Sequence, residues 1–136
     1  MRRWVAFAAL GALSSISFAR ADVCVEPRIR SAEACGVVLD NFGEPIPNVR
    51  VTFASKEKST STTTDSKGLF RLSEFEGSAV SVKAEAPGFK SASTTVESVK
   101  AAKACKRPMY VQLLVGYGGC TMISLKKGDL SIAKRD

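Results

Sequence analysis

Apolar and polar residues alternate in several short segments of the chain, which is the pattern of half-buried β-strands. The clearest case is the segment 49–54, in which Val49, Val51 and Phe53 share one face. The segment 100–106 is predicted to be either a loop or a single helical turn. Further strands are predicted at 35–40, 69–73, 80–86, 91–96, 109–115 and 121–125, with a Thr-rich edge strand in the second half of 55–64.

Turn-forming residues separate these segments. The stretch 41–48 holds a glycine and two prolines, which cannot sit in a central strand, so the chain reverses there. Asp65 and Gly68 fit a tight turn, in which the Asp65 side chain caps the backbone and the glycine adopts a positive φ. Such spacing predicts an all-β fold, a seven- to eight-stranded antiparallel-dominated β-sandwich.

The start of the chain has the three parts of a secretory signal peptide. Two arginines precede an apolar run at 4–18, and small residues follow at Ala19 and Ala21. We predict a signal peptide at 1–21, with cleavage before Asp22; cleavage after Ala19 is the alternative. An uncleaved anchor is disfavoured because the apolar run is shorter than the roughly 20 residues that span a bilayer. The protein is therefore expected in the bacterial periplasm or the extracellular medium, with no transmembrane segment after cleavage.

The predicted mature chain has room for one modest domain. Removing 21 of the 136 residues leaves 115, and the basic residues fall from 20 to 17 against 13 acidic ones. The net charge therefore falls from +7 to +4, which is ordinary for a soluble domain and predicts no nucleic-acid partner. The basic pairs in the tail are interpreted as solvated, with binding to nucleic acid or to an anionic surface as the alternative. The predicted organisation is an N-terminal extension at 22–34, the sandwich at 35–125 and a polar tail at 126–136.

The chain offers few groups for catalysis or metal binding. It contains no histidine, which excludes Ser-His and Cys-His nucleophile pairs, although a Ser-Lys arrangement stays open. Glu74 and Glu76 lie two residues apart near a turn and are interpreted as solvated. The four cysteines form no Cys-x-x-Cys motif, and an even number in an exported chain favours two disulfides over a metal site. We expect no catalytic residue, no cofactor and no metal, and hence no enzyme.

Four segments, in order, resemble the carboxypeptidase regulatory-like domain, a transthyretin-like, Ig-like sandwich of the starch-binding-domain-like superfamily. The resemblance runs from about Cys35 to Val115 and implies a fold rather than a function. The segments are Gly36-Val-Val-Leu-Asp, Gly43-Glu-Pro-Ile-Pro-Asn-Val-Arg-Val, Thr64-Asp-Ser-Lys-Gly-Leu-Phe-Arg-Leu and Val82-Lys-Ala-Glu-Ala-Pro-Gly-Phe.

The resemblance also bears on the disulfides. In such sandwiches the first and last core strands are neighbours and parallel, which implies the pair Cys35–Cys105 and leaves Cys24–Cys120. The alternative is the local pairing of Cys24 with Cys35 and of Cys105 with Cys120.

The expected function is that of a non-catalytic binding or accessory module, whose ligand is a carbohydrate or an envelope protein. Sugar binding favours exposed aromatic rings, and Tyr117, between glycines, is the candidate ligand contact. Tyr117 also fits a turn aromatic that covers the end of the sandwich, and Tyr110 lies in a strand that is expected to be buried. The alternative function is a purely structural or protein-docking module of the cell envelope, with no small-molecule ligand.

Overall fold

The computed structural model describes residues 28–115 and 119–125, and within these ranges the chain forms strands and turns without a helix. Accordingly, no helix in the described ranges is long and apolar enough to cross a membrane. The strands of this part are β1 Ile29–Glu33, β2 Cys35–Leu39, β3 Arg50–Ala54, β4 Ser59–Thr63, β5 Leu69–Arg71, β6 Gly77–Glu85, β7 Phe89–Lys90, β8 Ala92–Lys100, β9 Met109–Gln112, β10 Leu114–Val115 and β11 Met122–Leu125.

The strands form two main sheets. A five-stranded sheet has the order β1-β8-β6-β3-β4, a four-stranded sheet has the order β11-β9-β2-β5, and β10 pairs with β7. Within the described ranges the only parallel pairs are β1 with β8 and β2 with β9. The predicted all-β, antiparallel-dominated sandwich is therefore confirmed. The strand number exceeds the predicted seven or eight partly because β7 and β10 have only two residues each.

The five-stranded sheet begins before the predicted start of the sandwich. Strand β1 lies in the segment that the sequence analysis assigned to an N-terminal extension, and it pairs in parallel with β8. Ile29 and Ala32 of β1 are buried in the core. Strand β8 is also longer than the predicted strand at 91–96 and lies inside the sheet, between β1 and β6.

The core lies between the two sheets and contains three phenylalanines. The ring of Phe53 lies 6.2 Å from that of Phe70 and 5.6 Å from that of Phe75, centroid to centroid. Val49 and Val51 are fully buried beside them, as the alternation of β3 predicts. Such tilted aromatic contacts add to the free energy gained from burying the apolar area.

The segment 100–106 forms no helical turn: Lys100 ends β8, and residues 101–106 are a loop. Arg71 holds it, because the Arg71 guanidinium donates hydrogen bonds to the carbonyl oxygens of Ala102 and Lys103. These bonds satisfy loop carbonyls that no strand pairs. Arg71 thereby fixes the backbone just before Cys105.

Two side chains, Thr64 and Asp65, shape the turn after β4 and the turn before β3. The Asp65 carboxylate accepts the backbone N–H groups of Lys67 and Leu69, each at 2.9 Å, and Gly68 has a φ of 73°. Both observations confirm the predicted turn. The buried Thr64 hydroxyl donates to the Ile46 carbonyl at 2.8 Å and accepts the Val49 N–H at 2.9 Å. Thr64 thus joins the 41–48 turn to the start of β3.

We expect Thr64→Val to lower the free energy of unfolding by about 1–3 kcal/mol, because it leaves two buried backbone groups without their partner. The measurement is a urea unfolding curve, read as a shift in midpoint at constant slope. Thr94→Val is the matched control. Thr94 is also buried, but its hydroxyl has no hydrogen-bond partner among the described residues. That variant should be neutral or stabilising; equal losses in both would contradict this role of Thr64.

Candidate functional site

The outer face of the four-stranded sheet, away from the core, carries apolar side chains. In β9, Met109 and Val111 point into the core, so alternation places Tyr110 and Gln112 on the outer face. The register sets Tyr110 between Val37 of β2 and Ser124 of β11. It likewise sets Gln112 between Leu39 and Met122. This face therefore combines an aromatic ring and aliphatic side chains with few polar groups.

A cleft of about 240 Å³, here called the outer cleft, opens at one end of this face. Tyr110 is 8% exposed, so it contributes a wall rather than a free ring. Asp40 is the only acidic residue of the described ranges that lines the cleft. The lining residues are Leu39, Asp40, Gly43, Tyr110, Val111, Gln112, Met122 and Ser124.

Three exposed apolar side chains lie at the same end of the sandwich. They are Phe42, 83% exposed, Val115, 63% exposed, and Met122, 46% exposed, and the described residues contain no other exposed large hydrophobic. Phe42 follows β2, Val115 ends β10 just after β9, and Met122 begins β11. Because β2 and β9 are parallel and β11 runs against β9, these positions meet at one end. We call Phe42, Val115 and Met122 the apolar end.

The turn that presents Phe42 is fixed by Asp40. One Asp40 carboxylate oxygen accepts the backbone N–H of Phe42 at 2.8 Å and that of Glu44 at 2.9 Å. This oxygen is therefore occupied by the turn, which favours a structural role for Asp40 over acid–base chemistry. The arrangement suits the binding of apolar groups rather than the activation of a substrate.

The sequence analysis singled out other aromatic residues. Tyr117, the predicted ligand contact, lies outside the described residues. Tyr110 is buried, as expected, but against the outer cleft instead of in the core. Phe42 was missed, although an aromatic residue in a turn beside Gly43 and ahead of Pro45 is a recognisable sign of exposure.

A disulfide joins Cys35 to Cys105, with the two Cα atoms 6.0 Å apart. It is the pairing that the resemblance implied, and it excludes the local alternative. The Glu33 carboxylate lies close to both sulfur atoms. This grouping lacks the thiolates that metal binding requires, because the sulfurs are bonded to each other. Cys120 is also disulfide-bonded, and its predicted partner Cys24 lies outside the described residues.

Comparison with known families accounts for this architecture. The model of the carboxypeptidase regulatory-like domain family matches residues 35–106, which span β2 to β8. The chain belongs to the carboxypeptidase regulatory-like domain family. This family is non-catalytic, and together with the disulfide it suggests a protein that works outside the cytoplasm. None of the curated proteins compared with the chain matches it.

We expect the double variant Cys35→Ala, Cys105→Ala to lower the free energy of unfolding by about 4 kcal/mol. The bridge spans 70 residues of sequence, and its loss gives the unfolded chain more conformational entropy. Guanidinium unfolding of the variant and the wild type measures the difference. As a control, the difference should nearly vanish when both proteins are unfolded in reductant; a difference that persists would point to lost packing instead.

Proposed function

We propose that this protein is an exported, non-catalytic docking module that binds another envelope protein at its apolar end. The observation that carries the proposal is that three exposed apolar side chains lie at one end of the sandwich, and that one of them, Met122, lines the outer cleft. Apolar side chains grouped on a surface are typical of protein interaction sites. In this arrangement a partner buries Phe42, Val115 and Met122 and inserts a side chain into the cleft.

The size of the cleft supports a protein partner over a free small molecule. Its volume of about 240 Å³ lies below the roughly 300–1,000 Å³ of small-molecule sites, but it accommodates one large side chain. The polar groups around it, Asp40, Gln112 and Ser124, can surround such a side chain as a hydrogen-bonding rim. A hydrophobic centre with a polar rim is the usual arrangement of a protein interface.

Carbohydrate binding has less support. Within the described ranges only Phe42 is an exposed aromatic. Tyr110 is 8% exposed, Phe89 is half-buried against the core, and the other phenylalanines, Phe53, Phe70 and Phe75, are buried. A sugar that stacks on this surface would find a single platform. Carbohydrate therefore remains the second candidate ligand, through Phe42 or through the predicted contact Tyr117.

Export is part of the proposal. The predicted signal peptide at 1–21 directs the chain to the bacterial periplasm or the extracellular medium. Disulfides form and persist in these oxidising compartments and are rare in the cytosol. The bridge between Cys35 and Cys105 supports this location.

Site-specific photo-crosslinking in the source cells tests the docking site. A photoreactive side chain at position 42 should give one discrete cross-linked product, identified by mass spectrometry. The same group at position 57 is the control, because the exposed Glu57 lies in the β3–β4 turn, at the opposite end of β3. Equal products from both positions would contradict the proposal.

The purified partner then allows a quantitative prediction. Phe42→Ser should weaken its binding by about tenfold or more, since large buried aromatics dominate interface energies. The same substitution should leave the unfolding midpoint almost unchanged, because Phe42 is exposed. Calorimetric titration of the partner into each protein measures the change in affinity. Unchanged affinity in Phe42→Ser, or glycan-array binding by a chain that binds no protein, would overturn the docking proposal.

A further inference from the structure

A second cleft, of about 430 Å³, lies where the two sheets meet at the edges formed by β1 and β11. It differs from the outer cleft in its chemistry, although Ser124 lines both. Three of its lining residues are arginines, and two more are serines. We call it the arginine cleft; its lining residues are Arg28, Ile29, Arg30, Ser31, Arg107, Ser124 and Leu125.

Among the described residues, only one of the three arginines has an acidic partner. The Arg28 guanidinium lies 3.1 Å from the Glu97 carboxylate in an exposed ion pair. The side chains of Arg30 and Arg107 make no ion pair or hydrogen bond with any described residue. The nearby Glu33 carboxylate accepts the backbone N–H of Arg107 at 3.4 Å but does not pair with its guanidinium. Both arginines line the cleft, and neither guanidinium is ion-paired with a described carboxylate.

Neighbouring structure holds the backbone at Arg30 and Arg107 in place. Arg30 is in β1, where the parallel pairing with β8 fixes the strand. Arg107 lies between the disulfide-bonded Cys105 and the buried Pro108. Placing like charges in one cleft costs electrostatic free energy, and a bound anion removes that cost. The fold thus fixes the backbone of both arginines at the cleft, from which their side chains can reach an anion.

We propose that the arginine cleft binds the dianionic phosphate of a phosphomonoester. Such a group carries a charge of about −1.5 to −2 at neutral pH, which matches two unpaired guanidinium groups. Arginine donates parallel, bidentate hydrogen bonds to phosphate oxygens. The Ser31 and Ser124 side chains add hydroxyl donors at the wall of the cleft. The remaining volume accommodates the organic group that carries the phosphate.

Calorimetric titration of the chain from Asp22 to Asp136 with glycerol phosphate at low salt tests the proposal. The wild type should bind one equivalent, with a dissociation constant of order 1 mM or below. Arg30→Gln and Arg107→Gln should each weaken binding by about tenfold, since each removes charge-assisted hydrogen bonds. Arg50→Gln is the matched control, because Arg50 is an exposed arginine of β3 that does not line the arginine cleft. In the sheet register it lies opposite Glu85 of β6. An equal loss in Arg50→Gln, or no saturable binding, would overturn the proposal.

The charge of the ligand gives an independent test. Binding of glycerol phosphate should tighten as the pH rises through about 6, where a phosphomonoester loses its second proton. Methyl sulfate, a monoanion throughout, should bind more weakly at pH 7.5 and show no such rise. Equal binding of the two ions at pH 7.5 would contradict a dianion site.

Vesicles distinguish the two sources of the phosphate. If the ligand is a lipid headgroup, phosphatidic acid vesicles should retain the wild type and release Arg107→Gln, while phosphatidylcholine vesicles retain neither. If the ligand is a soluble phosphomonoester, glycerol phosphate should bind and neither vesicle should retain the protein. Retention of Arg107→Gln and wild type alike on phosphatidic acid would count against the arginine cleft as the binding site.

Discussion

The parallel pairing of β2 with β9 holds the four-stranded sheet together. It also places the segments that follow these two strands at the same end of the sandwich. It needs a close approach of the two backbones at Gly36, where a Cβ atom would lie 2.1 Å from the Met109 carbonyl oxygen. The pairing closes the long segment of chain between β2 and β9 into a loop, which costs conformational entropy. The bridge from Cys35 to Cys105, at the start of the same strand pair, lowers that cost. The outer cleft and the position of Arg107 both follow from this pairing.

Local pattern and tertiary pairing explain what the sequence could and could not predict. The alternation in β3 and the turn at Asp65 and Gly68 are encoded by neighbouring residues, so both could be read directly. Strand β1 is short and carries charged residues, and it is stabilised by pairing with β8, which no local pattern reveals. Likewise, the nearly continuous apolar run of β9 hides which face Tyr110 occupies. The sequence therefore predicted the sandwich but not the clefts at its edges.

The outer faces of the two sheets differ in chemistry, and this difference favours one of them as a binding surface. On the five-stranded sheet, Thr52 and Ser61 share a hydrogen bond across two strands, and Lys83 pairs with Glu85. Such a face is well solvated and gains little from being covered. On the four-stranded sheet, Met122 lies opposite Gln112 on the outer face and is 46% exposed. Apolar groups there, unlike the polar ladder opposite, gain free energy when a partner excludes water.

Strand β11 connects the two candidate sites. Met122 lines the outer cleft, Leu125 lines the arginine cleft, and Ser124 lines both. The strand is held by its antiparallel pairing with β9 and by the buried side chain of Ile123. The disulfide of Cys120 restrains the chain two residues before the strand begins. Because one short strand lines both clefts, a shift of β11 against β9 would change the outer cleft and the arginine cleft together. The rest of the sandwich could stay in place.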